Sequence, residues 1–156
     1  MNYWLMKSEP DVFGIDHLKN KKSQTEPWDG VRNYQARNFM RDDMKLGDQI
    51  FFYHSNCKVP GIVGTMTVAK ESYPDHTALN KKSKYFDAKS SKDNPRWFMV
   101  DVKFLRKFPH VVSLQQMREH TCLSGMRLLQ KGNRLSIMPV EKKHWDYIMQ
   151  LADSDS

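Results

Sequence analysis

The sequence predicts an α+β fold, a curled mixed β-sheet of five or six strands surrounded by helices. Three observations carry this. Strand-like apolar segments recur through the chain, and turn or breaker residues bound them. Segments with helical spacing of apolar residues stand between and after them. No linker, internal repeat or low-complexity tract divides the 156 residues, about one domain's length. A single domain is therefore expected over 1–152, with a tail at 153–156.

The first strand is expected over Asn2–Met6, almost continuously apolar, as in a strand buried on both faces. The run Lys7-Ser8-Glu9-Pro10-Asp11 ends it, because proline has no ladder donor. A short helix near Ile15–Lys19 and a polar loop over Lys21–Thr25 follow. Ala36, Phe39, Met40 and Met44 form one apolar stripe, predicting a helix over Asn33–Met44 with Asn33 as N-cap. Arg37 and Arg41 lie off that stripe. Strands are expected over Gln49–His54 and Gly61–Ala69, the second with Ile62, Met66 and Val68 in phase. A basic loop spans Tyr73–Arg96, longer than packing requires. The strand Trp97–Arg106 alternates Phe98, Val100, Val102 and Phe104 with Trp97, Asp101 and Lys103, and Pro109 closes it. Ser113 caps a short helix to His120. Arg134–Met138 reads as a last strand stopped by Pro139. The final helix, Glu141–Ala152, sets Trp145, Ile148, Met149 and Ala152 on one face.

Composition narrows the function classes. Hydrophobic residues at 39% and aromatics at 12% are incompatible with a disordered chain. No apolar run reaches the ~18 residues a membrane span needs, and the first residues read as a strand rather than a secretory signal. Two cysteines, Cys57 and Cys122, point to a reducing, intracellular compartment. A net charge of +7 favours a polyanionic partner.

Residue patterns for chemistry are sparse. His54-x-x-Cys57 and His120-x-Cys122 lack the paired short-range spacing of a zinc site, so no metal is expected. Cys57 beside His54, or an activated Ser8 or Ser55, has the outline of a nucleophile with a base. Strand alternation places i and i+3 on opposite faces, so His54 and Cys57 need an intervening turn to meet. Glu9 and Asp11 read as capping or turn residues. Gly61-Ile62-Val63-Gly64 enters a strand, where glycine marks a bulge or close backbone approach rather than a phosphate cradle. An aromatic and amide-rich set remains: Trp28 in a loop, Asn33 opening a helix, Tyr53-His54-Ser55-Asn56 leaving a strand, and Trp97 after the basic loop. Such groups suit stacking a planar base and reading its edge. An enzyme acting through His54 and Cys57, or a small-molecule module using the same residues, stands as the alternative.

Three strings resemble the EVE-domain family: Trp4-Leu5-Met6-Lys7-Ser8-Glu9-Pro10, Trp28-Asp29-Gly30-Val31-Arg32-Asn33-Tyr34-Gln35-Ala36-Arg37-Asn38, and Phe51-Phe52-Tyr53-His54-Ser55-Asn56-Cys57. Tyr73-Pro74-Asp75, Asn94-Pro95-Arg96-Trp97 and Arg134-Leu135-Ser136-Ile137 extend the resemblance, which runs from Asn2 to about Leu151. It implies a PUA-like pseudo-barrel similar to the YTH domain, which holds a methylated adenine in an aromatic cage. It also implies non-enzymatic reading of a modified base, especially modified cytosine in DNA, with no cofactor. Carried over by position, the base pocket is Ser8, Glu9, Trp28 and Asp29, extended to Asn33, Tyr53, His54, Ser55, Trp97 and Ser136. Arg32, Arg37, Arg41, Lys81, Lys82 and Lys84 are expected to hold phosphates. The expected partner is DNA or RNA carrying a modified base, bound by a monomer and away from membranes. The absence of the extended basic N-terminal region of eukaryotic members suggests a bacterial, cytoplasmic protein (nuclear if eukaryotic).

Overall fold

A computed structural model describes residues 1–154. Six strands form one mixed sheet: β1 (Tyr3–Ser8), β2 (Thr25–Pro27), β3 (Gln49–His54), β4 (Gly61–Pro74), β5 (Phe98–Ser113) and β6 (Ile137–Val140). Their spatial order is β2-β5-β4-β3-β1-β6, with β2 and β6 at the edges, so the pseudo-barrel is not closed. Only β1 and β3 run parallel; every other pairing is antiparallel.

The unbroken apolar character of β1 and β3 reflects burial on both sides. Trp4 and Met6 join Ile50 and Phe52 in one core, while Leu5 joins Phe51 and Tyr53 in another. Side chains of period two divide between the layers. The first layer is covered by α2 (Ile15–Lys19), α3 (Tyr34–Asn38) and the Trp28 turn. The second is covered by α4 (Leu114–Glu119) and α5 (Lys142–Asp153), whose Trp145 stacks on Phe51 with ring centroids 3.8 Å apart.

Several element boundaries differ from the sequence expectation, each for a local reason. β1 continues to Ser8, two residues past Met6, because β3 pairs with it as far as Ser8–His54. The helix expected over 33–44 divides into α3 and a π-helical turn, Phe39–Asp43, in which the Met44 N–H donates to the Phe39 carbonyl at 2.9 Å. Met40 and Met44 both remain buried through this change of pitch. β4 continues to Pro74, shortening the basic loop, and β5 runs through Pro109 to Ser113. Pro109 falls where Ile62–Gly64 of β4 opposes Lys107–Val112, a bulge in which no ladder donor is needed.

β6 also runs through the proline that was expected to stop it. The Lys7 N–H donates to the Ser136 carbonyl, so alternation leaves Trp4–Pro139 as a non-hydrogen-bonded pair at a sheet edge. Proline is tolerated there. At Gly64 the close-approach reading holds: a Cβ would lie 2.1 Å from the Arg106 carbonyl oxygen. α5 extends to Asp153, inside the expected tail, and residues 155–156 lie outside the described residues. Among the described residues no helix is long and apolar enough to cross a membrane.

Candidate nucleic-acid interface

A cavity of about 590 Å³ opens beyond the carboxyl ends of β1 and β3 and the start of β6. This lies within the size range of small-molecule pockets. Strand β1 delivers Lys7 and Ser8, and α1 (Pro10–Phe13) contributes Val12 and Phe13. The Glu26–Arg32 segment forms one wall, with Trp28 at its centre. Ser55, Ser136, Arg134 and the Lys84–Tyr85 pair complete the lining.

Trp28 is not the open platform its loop position suggests. Its side chain is 8% exposed and belongs to the first core, meeting Phe13 and Phe52 edge to face at 6.0 and 5.5 Å. Its backbone N–H donates to the Val100 carbonyl at 2.8 Å. A hollow nonetheless lies beside it, and its indole N–H has no acceptor among the described residues.

The expected pocket residues divide. Ser8, Glu9, Trp28, Asp29, Ser55 and Ser136 line the cavity; Asn33, Tyr53, His54 and Trp97 do not. The Asn33 side-chain oxygen accepts the Ala36 N–H at 3.0 Å, which is the N-cap role. Tyr53 points into the second core, because its parity along β3 is that of Phe51. The His54 Nε2 accepts the Ile15 N–H at 3.1 Å, and loss of hydration lowers its pKa. That nitrogen is therefore committed to the start of α2 rather than to Cys57. Trp97 donates its indole N–H to Asp87 at 2.7 Å and stacks on Tyr34 at 4.8 Å. No cluster of three metal-ligating side chains occurs among the described residues.

The expected phosphate ligands divide as well. Arg32 donates to the Val31 and Tyr85 carbonyls, the Thr77 hydroxyl and Asp75, which occupies all five of its N–H groups. It is a strut for the basic loop and has no donor left for a phosphate. Arg37 donates to the Arg96 carbonyl and to Asn38, and Arg41 pairs with Asp42 at 2.8 Å. Lys81 and Lys82 are exposed but stand outside the cavity, whereas Lys84 lines it.

Asp75 anchors this architecture. Its buried carboxylate accepts from the Gly30 N–H, Arg32, and both the N–H and hydroxyl of Thr77. Burial alone would raise its pKa; the bonds from Thr77, Gly30 and Arg32 outweigh that and hold it below the ordinary value. Gly30 has φ +78°, and a Cβ there would lie 2.5 Å from Tyr85 Cζ. Only a glycine lets the Tyr85 ring close down on this turn. Asp29 next to it has no side-chain hydrogen-bond partner among the described residues, and its pKa is raised by loss of hydration, then by Asp75 and Glu26, against His76 and Arg32.

With this geometry in place, comparison with known proteins is decisive about kinship. Residues 2–151 match the model of the EVE domain. The chain belongs to the EVE domain family. It is 45% identical to mouse thymocyte nuclear protein 1 over 171 aligned residues, covering 99% of this chain and 75% of the relative. Human THYN1, crystallised in complex with 5-methylcytosine-containing DNA, superposes with a TM-score of 0.94 at 43% identity, covering all of both chains. A Pseudomonas putida protein superposes with a TM-score of 0.90 at 47% identity, covering 96% and 99%.

Sequence reasoning missed several residues lining this EVE-domain cavity: Lys7, Val12, Phe13, Tyr85 and Arg134 among them. Tyr85 sits inside a Lys-rich loop with no local signal, and only the fold brings its ring over Gly30. Lys7 follows an apolar run and reads as the end of a strand. Only the pairing of Ser8 with His54 shows that β1 carries these side chains to the cavity rim.

Proposed function

We propose that this chain binds DNA carrying a cytosine modified at its 5-position, receiving the base in the cavity beside Trp28 without acting on it chemically. The carrying observation is that cavity, within a fold matching human THYN1 as crystallised with 5-methylcytosine-containing DNA. Extruding a base costs a few kcal/mol of stacking, and each aromatic contact returns about 1–3 kcal/mol. The Trp28 edge, Phe13 and Tyr85 supply apolar surface for that return. Ser8, Ser55 and Ser136 offer donors and acceptors at the floor, and the unpartnered Asp29 carboxylate suits the exocyclic amine of cytosine. Free Cys57 and Cys122 are in keeping with a reducing compartment.

The test is fluorescence anisotropy with labelled duplexes that differ at one cytosine, plain against 5-methylated. A methyl group filling an apolar niche is expected to tighten binding about tenfold. Tyr85→Ala is expected to reduce that ratio severalfold while leaving the fold intact, since Tyr85 is only half-buried. Equal affinity of the wild-type protein for both duplexes would overturn the reading.

A further inference from the structure

Four cations line the cavity: Lys7, Arg32, Lys84 and Arg134. They differ in what they already hold. Arg32 is fully engaged within the chain. The side chains of the other three make no hydrogen bond and no salt bridge among the described residues. Among the cations that line the cavity, Lys7, Lys84 and Arg134 are thus the ones whose charge is not committed within the described residues.

We infer that Lys7, Lys84 and Arg134 form a three-point clamp for the phosphodiesters flanking the extruded nucleotide, keeping only Lys84 of the expected set Arg32, Arg37, Arg41, Lys81, Lys82 and Lys84. The inference rests on the pocket reading above and adds where the backbone lies. The three side chains come from separate elements: the end of β1, the 75–97 loop, and the segment before β6. A strand leading into and out of the cavity would thus meet a cation on each side of it.

Lys84 Nζ lies 5.1 Å over the Tyr85 ring within the cavity lining, and Lys7 Nζ lies 5.6 Å over Tyr53, on the second-core face of β1 at the cavity rim, where it can meet a phosphate outside the base pocket. Lys7 is half-buried, and burial lowers its pKa, so the site already bears a desolvation penalty that an incoming anion relieves. The carboxylates in the same cavity are placed otherwise. Glu9 accepts from Asn56 at 2.5 Å and Glu26 pairs with Lys21, while Asp29 faces the space assigned to the base.

Binding of plain and 5-methylated duplexes should be measured from 50 to 300 mM salt for Lys7→Gln, Lys84→Gln and Arg134→Gln. Each lost phosphate contact lowers the slope of log affinity against log salt by about 0.9, and affinity near 0.15 M by about fivefold. Both duplexes should weaken alike, so the methylated-to-plain ratio stays at the wild-type value. Lys143→Gln, in the far helix α5, should keep the wild-type slope. Lys7→Arg should restore the slope, which separates lost charge from lost packing, and thermal melting reports any variant that unfolds. Unchanged slopes in Lys7→Gln and Arg134→Gln would overturn the clamp while leaving the pocket reading in place. A wild-type protein that ignores methylation would instead sink the pocket reading, and the slopes on plain duplex would still decide the clamp.

Discussion

Two tryptophan regions near the cavity invite comparison. Trp28 and Trp97 are both almost wholly buried, at 8% and 6% exposure; the first follows Pro27 at the end of β2 and the second follows the loop that contains Pro95. Their polar ends differ. Trp97 donates to Asp87, stacks on Tyr34 and has the Arg32 guanidinium 5.2 Å from its ring centroid, so its ring and its N–H are both committed within the chain. Trp28 makes T-shaped contacts with Phe13 and Phe52, lines the hollow, and has an indole N–H with no hydrogen-bond partner among the described residues. What makes an indole available to a guest is thus the direction of its uncommitted surface, since the exposures are nearly equal.

The strut that separates the two regions provides the largest expected effect. Asp75 joins Gly30 of the Trp28 turn to Arg32 and Thr77 of the Trp97 side, with its side chain fully buried. Asp75→Ala removes the buried acceptor shared by the Gly30 N–H, Arg32 and Thr77, and is expected to destabilise by about 3 kcal/mol. That corresponds to a Tm lower by roughly 6–12 °C. Because the folded pKa of Asp75 lies below its unfolded value, its contribution is complete above about pH 4 and fades as pH falls further. The gap in Tm between wild type and variant should therefore narrow on acidification. A gap that is constant from pH 7 to pH 3 would show that the carboxylate is not the strut.

Much of this frame was legible in the sequence. The two-faced burial of β1, the Asn33 and Ser113 caps and the α5 stripe follow from local periodicity and capping chemistry. The cavity was half legible, for a physical reason. Trp28 and Ser55 sit where strands end and turn, which the local pattern marks, while Ser8 and Asp29 follow only from the resemblance to the EVE-domain family. Tyr53 and Trp97 are of the right residue types, but strand parity turns one to the far core and a carboxylate ten residues away captures the other. Arg32 could not be read at all from charge alone. Whether its guanidinium meets solvent or internal acceptors is decided mainly by Asp75, Thr77 and Tyr85, more than forty residues distant in sequence.

Conservative substitution of each ring puts the comparison to direct test. Trp97→Phe keeps the stack on Tyr34 but loses the bond to Asp87, and is expected to destabilise by about 1.5 kcal/mol. Its methylated-to-plain binding ratio should match the wild type. Trp28→Phe keeps the aromatic edge contacts and should cost about 1 kcal/mol of stability, yet lower that ratio about threefold. The decisive reading is the ratio, with melting curves as a control. If both variants shift it equally, the distinction between the two regions fails.

The smallest effect concerns Asp29, at the boundary between strut and hollow. Its raised pKa means that the ionised form is disfavoured in the folded chain, by lost hydration first and by Asp75 and Glu26 next. The penalty is present above the folded pKa and absent below the unfolded one, near 4. Asp29→Asn removes it, so stability at pH 7 should rise, by no more than about 0.5 kcal/mol because the residue is largely exposed. Binding should move the other way. A carboxylate accepts from the cytosine amine, whereas an amide both accepts and donates and so also tolerates the carbonyl that thymine carries there. The variant is expected to lose about fivefold for a 5-methylcytosine site and to discriminate less against thymine at that position. Competition anisotropy with the two duplexes checks both numbers, and a variant that still rejects thymine as the wild type does would place Asp29 outside the base-reading edge.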